Sequence, residues 1–268
     1  MQDFERTFLL AWNGAFSRLR LLLAFSALVA SGLLFVFCSA ISMQASPWVV
    51  LSLRFLPFFA SSGLLLGAGV LIAKIHFHER KGLKLSLGRL LMGSADLVIG
   101  TSYLALPPLL LYFILWLGMG MVCFLQQLPV LGPFFQVFFS FAPFLILALT
   151  LCLGLISLAL LFWVAPIAAR GALKRLSLVR EIALIFTRRP LFAISSFAIA
   201  CLPLLIIGGI LGLSAVMADH TLAASHESYL RPLEWFFMML PFAALLSPPL
   251  IFFFQFATLS AEKLERVS

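Results

Sequence analysis

Charge is scarce in this chain. Lys, Arg, Asp and Glu make up 10% of its 268 residues, where about 25% is usual in a soluble domain. The remainder is 63% hydrophobic, against roughly 45–50% in a soluble domain, and so little charge cannot cover so much apolar surface. The deficit excludes a water-soluble enzyme, a disordered chain and a nucleic-acid-binding module, and leaves a polytopic membrane protein. Cysteine is also rare. Cys38, Cys123, Cys152 and Cys201 all lie inside apolar runs without C-x-x-C spacing, which argues against a disulfide framework or zinc site and for small apolar packing residues. Catalytic motifs are missing as well: no H-E-x-x-H, no G-x-S-x-G and no phosphate-binding loop. Every histidine falls between apolar runs, so no nucleophile is expected within reach of a base in the membrane. The reading is therefore non-enzymatic, with no catalytic residue, no metal and no cofactor. Any ATP-driven role would need a separate ATPase subunit.

Alternating strands are absent too. An outer-membrane barrel would alternate apolar and polar residues over about 10 positions. This chain instead has unbroken apolar stretches of about 20 or more, which only helices can use in lipid. The spacing predicts an all-α bundle in one integral domain, 1–268, with spans near 21–42, 50–73, 97–123, 144–165, 191–217 and 235–258. The first run exceeds a secretory h-region of roughly 7–15 residues and is read as a retained span. Residues 134–165 form one apolar stretch, about 48 Å long as a helix. A ~30 Å hydrocarbon core cannot contain it. Pro143 divides it, and the part before Pro143 is expected at the interface or re-entering.

The net charge of +8, from 18 basic and 10 acidic residues, is topogenic in such a protein, because basic residues gather in cytoplasmic loops. With the N-terminus inside, 16 of the 18 basic residues fall on the cytoplasmic side; Arg54 and Arg231 are the exceptions. Six spans with both ends cytoplasmic follow from that alternation, and the cell (inner, cytoplasmic) membrane is the expected location. Two basic stretches, 74–89 and 170–189, read as interfacial amphipathic helices on this side. Lys81, Lys84, Arg89, Lys174, Arg175 and Arg180 are expected to meet anionic lipid headgroups of the inner leaflet, or a membrane or cytoplasmic protein partner. Leu-Ser-Leu-Gly-Arg at 85–89 and Leu-Ser-Leu-Val-Arg at 176–180 suggest a repeated unit of span, basic helix and span; coincidence in a leucine-rich chain is the other reading.

Few residues carry chemistry. Arg54 lies within an apolar run, where a buried charge would mark a substrate pathway; it lies near the span's end, where arginine snorkels to headgroups. Asp96 opens the third span. It serves either the helix dipole and cap or a proton-coupled pathway. His76, His78 and Glu79 resemble a metal cluster, but positions two apart on a helix do not face each other. Asp219, His220, His226 and Glu227 offer ligand types without a defined set. Gly63/Gly67 and Gly208/Gly212 are small pairs that permit close helix approach, and the prolines at 57, 107, 108, 143, 203, 241, 248 and 249 are expected to kink or break helices.

At 168–175 the sequence reads Ala-Ala-Arg-Gly-Ala-Leu-Lys-Arg, followed at 187–191 by Thr-Arg-Arg-Pro-Leu, all between two spans. This pattern resembles a broad group of bacterial six-span proteins that includes the membrane domain attached to some glycerophosphodiester phosphodiesterases. The likeness covers residues 145–215, with a fainter echo at 60–120; Ser177 matches a serine often found after the basic pair. The resemblance implies an integral membrane module and carries over no catalytic residue. The leading expectation is a structural or scaffolding component of an envelope or transport assembly. The alternative is a transporter or permease subunit for a small solute, resting on Arg54, Asp96 and the proline-interrupted spans.

Overall fold

The computed structural model describes residues 2–43, 45–82, 88, 93–170, 187, 189–222 and 231–266. The described residues are helical throughout their regular elements. Helix α1 (Gln2–Gly14) precedes α2 (Arg18–Ser42), and α3 (Pro47–Arg80) runs back along it. Helix α4 (Ala95–Ser102) passes through a 3-10 turn at Tyr103–Ala105 into α5 (Leu106–Gln126). A short α6 (Gly132–Phe138) leads to α7 (Ala142–Ala169), and α8 (Pro190–Leu222) and α9 (Arg231–Arg266) complete the chain. Six segments are long and apolar enough to cross a bilayer: α2, α3, α4 with α5, α7, α8 and α9. The protein is an integral membrane protein built as a six-span helical bundle.

Proline placement follows backbone chemistry. Pro47, Pro107, Pro133 and Pro143 sit in the first turns of α3, α5, α6 and α7, where the missing N–H has no intrahelical partner to lose. Pro143 thus begins α7 and separates it from α6, as the length argument required. Just before Pro107 and Pro108 the helix tightens to 3-10, because a proline supplies no donor and its ring crowds the carbonyl four residues back. Pro57, Pro166, Pro203, Pro241, Pro248 and Pro249 lie inside helices that continue through them, so of the expected kinks or breaks at Pro57, Pro203, Pro241, Pro248 and Pro249, no break occurs. Neighbouring helices can accommodate such sites in a bundle.

The helices overrun the spans expected from hydropathy. Helix α3 has 34 residues, about 51 Å at 1.5 Å per residue, against a ~30 Å hydrocarbon core. Residues 74–80 were expected to open the first interfacial helix; they extend α3 instead. Lys, Glu and Arg are strong helix formers, and several of these side chains bond to neighbouring helices. Lys81 follows α3 and is exposed. Lys84, Arg89, Lys174, Arg175 and Arg180 lie outside the described residues, as do Ser177 and both pentapeptides apart from Gly88. The side chains of Asp219, His220, His226 and Glu227 lie outside them too.

The chain's direction places residues 18, 80, 95, 169, 190 and 266 at one end of the bundle, here called the basic end. The core concentrates there. Residues 66–73 of α3, 161–169 of α7 and 250–257 of α9 are nearly all buried, with Phe162, Trp163, Phe252, Phe253, Phe254 and Phe256 among the most enclosed. Three consecutive buried phenylalanines leave no lipid-facing side on that turn of α9, which marks it as an interior helix. Phe253 meets Phe162 at 5.3 Å and Phe197 at 6.5 Å between ring centroids, in the edge-on arrangement that aromatic quadrupoles prefer. Toward the opposite end, Leu117, Phe144, Leu205 and Leu213 stand exposed, as side chains facing hydrocarbon do.

The two small-residue pairs have different fates. Gly63 and Gly67 lie against α4: Ser102 Oγ donates to the Gly63 carbonyl at 3.0 Å, and a Cβ on Gly67 would come within 2.8 Å of Val98. Gly212 has nothing within 4 Å of such a Cβ, and Gly208 only Leu246 at 3.9 Å.

Candidate functional site

Three ion pairs of the bundle gather at its basic end. Arg20 stands in the first turn of α2 on the same side as Ala24, which turns its side chain inward, and it is 3% exposed. Its guanidinium donates to the Gly14 carbonyl at the end of α1, 3.0 Å away, and to the Glu79 carboxylate in the last turn of α3. One turn of chain therefore ties three helices together. Arg80, the next residue on α3, pairs with Glu262 on α9, and His76 Nε2 lies 4.0 Å from the other oxygen of that carboxylate. Residues 76, 79 and 80 share one side of α3 through their three- and four-residue spacing. His78 turns away and donates from Nδ1 to the Lys74 carbonyl at 2.9 Å.

Two further contacts close this collar. Lys74 Nζ donates to Ser94 Oγ at 2.6 Å and to the Gly93 carbonyl at 3.3 Å, fastening the start of α4 to α3. Arg170 at the end of α7 stands over the Phe77 ring, 5.4 Å from its centroid, within reach of a cation–π attraction. Beneath the ion pairs lies Gln255, 2% exposed with neither amide atom hydrogen-bonded. Its amide and Arg20 Nη1 fill the space that a side chain at position 14 would need. Glycine at 14 lets α1 come close enough for its carbonyl to reach Arg20.

The collar's chemistry is that of a fastening. Buried polar groups demand partners because an unsatisfied one costs about 1–3 kcal/mol, so Arg20 holds α1 and α3 at fixed distances from α2. No group of three or more His, Cys, Asp or Glu among the described residues could hold a metal ion. His76 faces Glu262 rather than His78, which separates the two histidines of the sequence cluster.

At the opposite end a hydrogen bond and ring stacking join the helices. Tyr112 OH donates to the Ser52 carbonyl and its ring stacks on Phe59 at 4.7 Å, joining α5 to α3. Beyond it, Trp48, Trp116, Gly120, Met121, Phe124 and Gln127 line an open cleft of about 500 Å³. Arg54 is exposed and lies outside that lining. Asp96 is exposed in the first turn of α4, next to the Lys74–Ser94 bond at the basic end. The two residues expected to share a substrate pathway therefore stand at opposite ends of α3. Ser94 is the N-cap residue of α4 but makes no side-chain cap bond; its hydroxyl receives Lys74 instead.

Sequence reasoning missed Arg20, Glu79, Gln255 and Glu262 as a group. Arg20 and Glu262 look like ordinary end charges, since their pairing needs helices separated by most of the chain. Gln255 carried a usable signal: a lone amide within the run Ile251 to Ala257, and intramembrane polar residues are functional candidates by default. No family model, no curated protein and no solved structure matches this chain.

Proposed function

We propose that this integral membrane protein is a non-catalytic structural or scaffolding component of an envelope or transport assembly, seated in a cytoplasmic membrane with both termini and the basic end on the cytoplasmic side. The observation that carries this reading is the solid basic end. Phe162, Trp163, Phe252, Phe253, Phe254 and Phe256 fill the space between α3, α7 and α9, and the Arg20–Glu79 and Arg80–Glu262 pairs tie α3 to α2 and to α9 above that filling. A body packed and fastened in this way presents fixed surfaces to lipid and protein neighbours. The likeness of residues 145–215 to the membrane domain attached to glycerophosphodiester phosphodiesterases fits a module that works beside other components. The orientation rests on the bias of Lys and Arg toward one side, and the neighbours it offers are anionic inner-leaflet lipids and a membrane or cytoplasmic protein.

Two experiments test this. Purification in mild detergent is expected to bring down a stoichiometric membrane or cytoplasmic protein. Uptake by reconstituted vesicles across a panel of small solutes is expected to show no saturable flux. A flux that Arg54→Ala abolishes in a folded protein would replace scaffolding with transport.

A further inference from the structure

Helix α1 has two faces that face different solvents. Thr7, Ala11 and Ala15, spaced by four, are buried. Phe8 and Trp12 rest edge-on against Phe252 of α9, at 5.0 and 6.0 Å between centroids. On the far side Leu9, Leu10 and the following Phe16 are 53%, 55% and 55% exposed, and Trp12 is 40% exposed. A 13-residue helix is about 20 Å long, too short to cross a ~30 Å core. Its depth is set by its contacts: the Gly14 carbonyl meets Arg20 where α2 begins, which is where the apolar bundle gives way to the charged collar.

We propose that α1 is an interfacial helix whose outward face, Leu9, Leu10, Trp12 and Phe16, is seated in the lipid leaflet at the basic end. The occupant of this face is the boundary between headgroups and acyl chains. Continuity supports this choice: the exposed apolar strip runs on through Phe16 to Leu22, Leu33 and Phe37 on one side of α2, a span whose outward side already faces hydrocarbon. Charge supports it too. The helix holds Asp3, Glu5 and Arg6, so it lacks the basic face that anionic lipids attract, and its attachment is apolar. Held in this way, α1 acts as a strap, with one face in lipid and its last carbonyl on the arginine that ties α2 to α3. The inference rests on membrane integration and is independent of the scaffold reading.

The test uses the full chain in neutral phosphatidylcholine vesicles. The four native cysteines are replaced by alanine, and a nitrobenzoxadiazole fluorophore is attached at Leu9→Cys, Asn13→Cys or, as the aqueous reference on the same end, Lys81→Cys. Asn13 is polar and exposed, so its replacement keeps the test valid should Leu9→Cys loosen the helix. Labels at 9 and 13 are expected to be quenched by lipids bearing a nitroxide near the headgroup, and about threefold or more less by aqueous iodide than the label at 81. Iodide quenching equal to that at 81 would overturn the proposal. Protection from both quenchers would overturn it as well, because a protein surface, a second copy included, would then cover the face. A requirement for anionic lipid would overturn the apolar attachment.

Discussion

Arg20 on α2 and Glu79 on α3 form an ion pair with its two ends in different surroundings: the arginine side chain is 4% exposed and the glutamate 53%. The pair is thus a buried cation held by a carboxylate at the water's edge. Removing the glutamate leaves the buried cation with the Gly14 carbonyl and no counter-charge, while removing both charges leaves no buried charge unpaired. Glu79→Gln is expected to lower stability by about 1–3 kcal/mol, and the Arg20→Met, Glu79→Leu double variant to lose less, since a well-packed apolar replacement is often neutral or better. Unfolding in mixed micelles measures both. Equal stability of Glu79→Gln and the parent protein would show that the pair fastens nothing.

The aromatic filling makes a second prediction. Phe253→Ala opens a cavity among Phe162, Phe197 and Phe254, and is expected to cost about 3–5 kcal/mol. Leu213→Ala, on the exposed side of α8, is expected to change stability by less than about 0.5 kcal/mol. The same unfolding assay separates them, and similar losses at the two sites would contradict the burial pattern.

The glycines allow a sharper contrast. Gly69 is overlain by the Phe254 ring and Gly67 by Val98, whereas Gly212 has open space. Gly69→Leu is expected to destabilise by about 1–3 kcal/mol through overpacking, with retention in detergent gel filtration reduced. Gly212→Leu is expected to leave both readouts unchanged. A tolerated Gly69→Leu would mean that α3 and α9 are not this close.

Topology gives the fourth. Reporter fusions after Gly82 and after Glu262 are expected to report the same side, and fusions at Ser46 and Gly132 the other side. With the basic residues inside, protease added to sealed cells is expected to spare the Lys81 bend. Cleavage there from outside would reverse the orientation.

How much of this was legible in the chain can be read residue by residue. Hydropathy found all six spans because lipid imposes one local requirement: each crossing segment must satisfy its own backbone and show apolar side chains. Pro143 was legible as a helix start for the same reason, since its missing donor acts within a single turn. Residues 74–80 were misassigned to an interfacial helix, because charge is a signal of water and not of helix ending; Lys74, Glu79 and Arg80 remain helical with partners on α2, α4 and α9.

The amino-acid sequence alone therefore determined a six-span helical membrane protein and the end of it that is basic, since these depend on composition and on contacts within one turn. Tertiary structure decided which charges are paired, which glycines are crossed by another helix and which face of α1 is left outward. Arg20 meets Glu79 at a separation of 59 positions along the chain and Arg80 meets Glu262 at 182. No local pattern encodes such pairs, because their energy exists only once the helices have packed.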